Sequence, residues 1–189
     1  MRLSRARIAP VDPAALTEDQ RASLAPFGDR GPIFNIFLTL AHAPKALTAF
    51  LGWGNYVLSR RNQLGVRERE IAILRTGFLC RSGYEFAQHV VIGKQVGLTD
   101  AEVAAIKAGP AGATWSEADR ALLRAADELH RDQFVTDATW TELGRHFDER
   151  QCMDLVFTIG QYTQVSMMLN TFGVQLDDGL ELDPDLDGR

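Results

Sequence analysis

The 189-residue chain has little cysteine: Cys80 and Cys152, far apart in the sequence. Neither has a zinc-type spacing, and two such residues make no disulfide framework. Basic residues are in deficit, 20 Lys and Arg against 25 Asp and Glu, for a net charge of −5. That argues against a general nucleic-acid binder, which needs a basic face. No apolar run is long enough to span a membrane, and "MRLSRARIAPVD" has arginines but no apolar stretch of the signal-peptide kind. A cytoplasmic protein in reducing surroundings is expected. Strand-type alternation and low-complexity segments are missing as well. What remains is a chain 46% hydrophobic, long enough to bury one sizeable core.

The patterns that are present are helical. Residues 1–16 form a proline-containing arm without sustained periodicity. "TEDQRASLAPF" opens at Thr17, a good N-cap, with acids in the first turn. "GDRGP" is a break. Two helices meet near Pro44, because proline ends or kinks a helix. Ile71, Leu74 and Phe78 keep a helical period in "VREREIAILRTGFLC". A tight break at Arg81–Gly83 precedes "GYEFAQHVVIGKQVGL", which stops near Gly97. Thr99 and Glu102 spell a capping box. "GPAGATW" is a loop, after which Ser116 and Asp148 open two long helices on either side of a short one. The prediction is a single all-α domain over 17–176, followed by an acidic, mobile tail, 177–189.

The stretch "CRSGYEFAQH", Cys80 to His89, places a thiol, a phenol, a carboxylate and an imidazole between two apolar runs. On a helix Ser82, Glu85 and His89 share a face, and Glu85 and His89, at i and i+4, can touch. Such pairs are often solvated; the apolar flanks favour a buried one equally. Cys80 precedes the helix, where a thiolate is favoured by the N-terminal partial charge; its ordinary role is that of a small buried hydrophobe. Tyr84 lies off that face and reads as packing. Glu70 follows Arg67, Glu68 and Arg69, a solvated first turn. His42 caps a helix end, and His130 and His146 read as surface residues. Gln161, Tyr162, Gln164 and Asn170 interrupt the apolar face of the last helix; bonds among themselves are the first expectation. Glu85 and His89 could supply two metal ligands, and two seldom make a site; none is assigned.

"EREIAILRTGFLCRSGYEFAQHVVIGKQVGLTDAEVAAIKAG", with its glutamate-led helix, the spaced Cys, Tyr-Glu-Phe and His, and the following "GLTDAE", resembles the core of the carboxymuconolactone decarboxylase family, within the alkylhydroperoxidase D-like superfamily. The likeness covers about residues 30–182. It implies an oligomeric alkylhydroperoxidase D-like bundle, trimeric or hexameric, and chemistry without metal or organic cofactor. By motif spacing, Glu70 and His89 take the family's glutamate and histidine positions. The two cysteine positions of the peroxidase branch fall on Ser82 and Glu85, so disulfide cycling lacks both thiols. The resemblance implies a lyase or isomerase acting on a small carboxylated lactone or other carbonyl-conjugated molecule. His89 is the proton donor or acceptor, Glu85 its partner or the second acid–base group, Glu70 a supporting acid and Cys80 a residue lining the site. Ser82 and Tyr84 are candidate substrate contacts. Alternatives are a peroxidase using Cys80 alone and a non-catalytic helical assembly protein.

Overall fold

The computed structural model describes residues 1–28, 31–112 and 115–187. Asp29 and Arg30 of the expected break, Ala113 and Thr114 of the expected loop, and Gly188 and Arg189 of the tail lie outside them. The described residues hold nine α-helices and no strand: α1 (Glu18–Leu24), α2 (Asn35–Leu40), α3 (Pro44–Leu58), α4 (Val66–Leu79), α5 (Gly83–Gln95), α6 (Asp100–Ala108), α7 (Glu117–Asp132), α8 (Asp137–Leu143) and α9 (Glu149–Phe172). None is long and apolar enough to cross a membrane.

The helices start where a side chain can satisfy the free N–H groups of a first turn. Capping boxes form at Thr17 with Gln20, Thr99 with Glu102, and Asp148 with Gln151. Ser116 accepts from the Asp119 amide to open α7. The break between α4 and α5 is a Schellman turn: the Ser82 and Arg81 amides donate to the carbonyls of Gly77 and Phe78, both at 2.9 Å. Arg81 takes the left-handed conformation there, at φ 53°, a position glycine more often fills.

Helix α4 is the axis of the molecule, packed against α5, α6, α7 and α9. Every residue from Arg69 to Gly77 is buried, so α4 is enclosed on all sides and its hydrophobic period understates its burial. Its charges are therefore paired. Arg75 makes a two-pronged contact with Asp127, at 2.6 and 3.0 Å, and donates to the carbonyls of Ile106 and Lys107. The expected solvated first turn is corrected here: Arg67 bridges Glu102 and Asp119 at 2.5 and 2.8 Å, and Arg69 is buried and donates to the Ser59 carbonyl. One apolar cluster, with Leu122, Leu155 and Ile159, fills the α7–α9 side. A second, with Leu74, Phe86 and Ile106, fills the α5–α6 side, and a third joins α1, α2 and α3 through Leu24, Leu38 and Leu47.

Arm and tail both pack on this body. Amides of Arg7 and Ile8 donate to the Phe172 carbonyl, and Val11 bonds Leu38. His42 contacts the Ala9 carbonyl at 2.9 Å, so it ties down the arm and does not cap its own helix. The tail is held, contrary to the mobility expected from its acidity. Lys107 draws in Asp183 and Asp185, Leu186 is buried, and Asp177 reaches the α2–α5 contact.

Candidate active site

The α4–α5 crossing positions the chemistry. Gly77 lies against Glu85, and a Cβ added there would sit 3.3 Å from the Glu85 Cγ; the missing side chain lets the two helices close around the carboxylate. Glu70 projects from α4, Glu85 and His89 from α5, and all three are buried. His89 Nδ1 meets Glu70 Oε2 at 2.6 Å. On the other edge of the ring, Nε2 lies 2.9 Å from Glu85 Oε1, near enough for an ion pair, while Oε1 has no aligned hydrogen-bond donor. Tyr162 of α9 stands edge-on to the imidazole, centroids 4.9 Å apart.

Burial by itself would lower the His89 pKa by penalising the cation; the charge of Glu85, with the hydrogen bond and charge of Glu70, outweighs it and holds the ring up at about 10. At neutral pH the group is an imidazolium between two carboxylates. Nδ1 is committed to Glu70, which leaves the Nε2–Glu85 edge for chemistry. The two carboxylates engage opposite nitrogens, so the three residues do not converge on one metal-sized point. Among the described residues the group that does converge is Glu117, Glu142 and His146 on the surface.

A cavity of about 170 Å³ opens beside this edge. Its walls are mainly apolar, including Phe37, Phe50, Leu51 and Val165, and its polar lining includes Glu85, His89, Gln161 and Tyr162. Tyr84, off the Ser82–Glu85–His89 face and also a candidate substrate contact, lines it as well, but its hydroxyl is engaged: it donates to Asp177, which also accepts from Gln88 at 2.6 Å and from the Asn35 amide at 2.7 Å. Burial and the adjacent Asp177 charge push the Tyr84 phenol well above its ordinary range. Asp177 thus clamps one rim of the cavity.

The structure brings Glu70, Glu85, His89 and Tyr84 together and leaves the other two candidates apart. Ser82 is fully buried at the start of α5, its hydroxyl unpartnered, and does not line the cavity. Cys80 ends α4 instead of opening α5, so no helix N-terminus favours its thiolate. It borders a separate groove with Arg2, Arg7 and Asn170. Its thiol lies 3.7 Å from Nδ1 of His130, which is therefore not a plain surface residue, and burial raises its pKa against smaller opposing contacts from Ser166 and Thr163. Cys152 is on α9, whose Asn170 bonds the Cys80 carbonyl; 170 − 152 is 18 residues, roughly 27 Å of helix. Both cysteines are free. Gln161 and Tyr162 are cavity residues, where the sequence pointed first to internal bonding. Their signal was the polar interruption of an apolar face; Gln88 and Asp177 gave none.

The same helical arrangement occurs in solved structures. The alkylhydroperoxidase AhpD core of an uncharacterised peroxidase-related protein from Ralstonia eutropha JMP134 superposes with a TM-score of 0.80 at 24% identity, over 92% of this chain and 93% of that one. An uncharacterised peroxidase-related protein from Silicibacter sp. TM1040 gives 0.79 at 16% identity, over 93% and 95%. The debrominase Bmp8, in complex with 2,3,4-tribromopyrrole, gives 0.74 at 14% identity, over 93% and 94%. The fold is therefore the alkylhydroperoxidase D-like all-α fold. Residues 44–128, which carry Glu70, Glu85 and His89, are similar to the carboxymuconolactone decarboxylase family. No curated protein sequence matches the chain.

Proposed function

We propose that the protein is an acid–base enzyme, a lyase or isomerase, in which the Glu70–His89–Glu85 relay moves a proton on a small carbonyl-conjugated substrate held in the apolar cavity. The observation that carries this reading is a buried imidazole with one nitrogen committed to a buried carboxylate and the other at the cavity beside Glu85. In a decarboxylation, the breaking C–C bond leaves its electron pair in the conjugated carbonyl as an enolate, CO2 departs, and the Nε2 proton is delivered to carbon. In an isomerisation, Glu85 takes a proton from carbon and returns it at another position, while the His89 cation offsets the charge of the intermediate. Glu70 acts from behind, holding the ring and its Nδ1 proton.

An open cavity at His89 speaks against a purely structural role for the motif. The fold relative that holds 2,3,4-tribromopyrrole is consistent with a single-ring ligand. Against the redox reading stand Ser82 and Glu85 at the thiol positions and the distance of Cys80 from the cavity. Given peroxide and a dithiol reductant, the purified protein is expected to show no sustained consumption of peroxide, and Cys80→Ser and Cys152→Ser to change nothing. Sustained reduction that disappears with Cys80→Ser would reverse the assignment in favour of a peroxidase.

We also propose a homo-oligomer, trimer or hexamer. Phe34, Trp53, Leu58, Val91 and Met167 expose much of their apolar surface on the single chain. Light scattering at micromolar concentration should report a mass well above the 20.9 kDa of one chain; a strictly monomeric reading contradicts the proposal.

A further inference from the structure

Gln161 and Tyr162, neighbours on α9, are each 5% exposed and both line the cavity. Neither side chain hydrogen-bonds another described residue. Neither is among the fully buried polar atoms left without a partner, so their polar ends reach the open space of the cavity, where a ligand can meet them. Two adjacent unmet groups on the wall that also faces His89 mark the place of a ligand acceptor. Helix α3 leaves room for the amide: Gly54 is opposite it, its Cβ position 3.9 Å from Gln161 Nε2.

The charge of the cavity restricts what that ligand is. Among the described residues no Lys or Arg lines it, and Glu85 does. Buried Arg69 donates to the Ser59 carbonyl; its Nε is unpartnered and its charge reaches Tyr162, but it stands behind the wall and does not line the cavity. Among the described residues His89 is the one cation that lines the cavity, and it is already shared by two carboxylates. A substrate carboxylate placed here would be desolvated beside Glu85, with no unshared cation among the described residues that line the cavity, a cost of several kcal/mol. A cavity of about 170 Å³ is close in size to the engineered apolar cavity of about 150 Å³ that takes up benzene.

Resting on the isomerase form of the acid–base reading, and against its decarboxylase form, we infer that Gln161 and Tyr162 bind the carbonyl oxygen of an uncharged, single-ring enone or unsaturated lactone, and that the site discriminates against the carboxylated analogue. Enolisation moves negative charge onto that oxygen, where pre-placed donors act most strongly. Tyr162 suits the role because burial, with Glu85 and Glu70 nearby, raises its pKa well above the ordinary value, so the phenol keeps its proton and donates.

The test compares three probes by calorimetry: cyclohex-2-enone, 4-oxocyclohex-2-ene-1-carboxylate and cyclohexene. The enone is expected to bind at least about tenfold more tightly than either of the others, and Gln161→Leu and Tyr162→Phe each to weaken it about tenfold, with cyclohexene unaffected. Three results overturn the inference: no enone binding at millimolar concentration, preference for the carboxylate, or native enone affinity in a doubly substituted protein that melts like the native one. Should the variants fail to fold, the ¹³C-carbonyl stretch of the enone on the native protein decides. A shift below the hydrocarbon-solvent frequency supports donors at the oxygen, and a hydrocarbon-like frequency overturns them. Deuterium uptake by the bound enone, expected to vanish with His89→Gln, reads the acid–base chemistry separately. Binding without uptake counts against that chemistry and leaves the oxygen-binding pair standing.

Discussion

Replacing His89 by Gln is expected to lower turnover roughly 10²–10⁴-fold on any enone or lactone that the native protein converts, the usual contribution of a positioned proton-transfer group. Glutamine keeps a polar side chain at the site but cannot carry the proton between Nε2 and substrate. Glu85→Gln should reduce turnover as well, because it removes the cavity-facing carboxylate and the charge that holds the imidazolium. Glu70→Gln acts from behind the ring: its effect should fall mainly on kcat and on the pH at which activity is lost, with KM nearly unchanged. Steady-state kinetics across pH separates these outcomes. Full activity in both the His89 and Glu85 variants would reduce the motif to packing.

Stability should depend on pH through the same residue. His89 is raised from 6.5 to about 10 in the folded protein. A raised pKa means that the folded state holds the proton more tightly, so this stabilisation is fully present below about pH 6.5 and is lost as pH climbs through about 10. The difference in unfolding free energy between the native protein and His89→Gln should be on the order of a few kcal/mol near pH 6. It should narrow steadily toward pH 10, whereas a purely packing role for the ring predicts a constant difference. Denaturant melts at several pH values measure this, and the ring carbon and proton shifts of His89 give the titration directly. In Glu70→Gln the midpoint should move down, since one of the two carboxylates that overcome burial has lost its charge. A His89 midpoint near 6.5 in the native protein would show that the ring is not held between two charges.

Much of the architecture follows from local chemistry. Caps at Thr17, Thr99, Ser116 and Asp148 are hydrogen bonds closed within three or four residues, so they are written in short stretches of sequence, as are Pro44 and the Arg81 break. The Glu85–His89 pair follows from a four-residue spacing on one helix. Glu70 could be matched by resemblance, but its contact with His89 joins two helices across 19 positions of sequence.

What lay beyond local reading depends on which faces of different helices meet. Charge led to misreadings twice: Arg67 and Arg69 read as solvated and the acidic tail as mobile, yet partners on α6, α7 and the α3 end pair the former, and Lys107, Tyr84 and Gln88 hold the latter. A charged side chain is as compatible with water as with a distant counter-charge, and only the packing chooses. Cys80 shows the same limit in reverse. It stands two residues from the motif, but the Schellman turn at Arg81 directs it to the far groove beside α9, away from the cavity. The sequence by itself determined the helices, their ends and the pairing of Glu85 with His89, because those are interactions within a turn or two of chain. The cavity, its unmet Gln161 and Tyr162, and the charge state of His89 were decided by tertiary structure alone, because desolvation and charge–charge coupling exist only once separate helices enclose the same small volume.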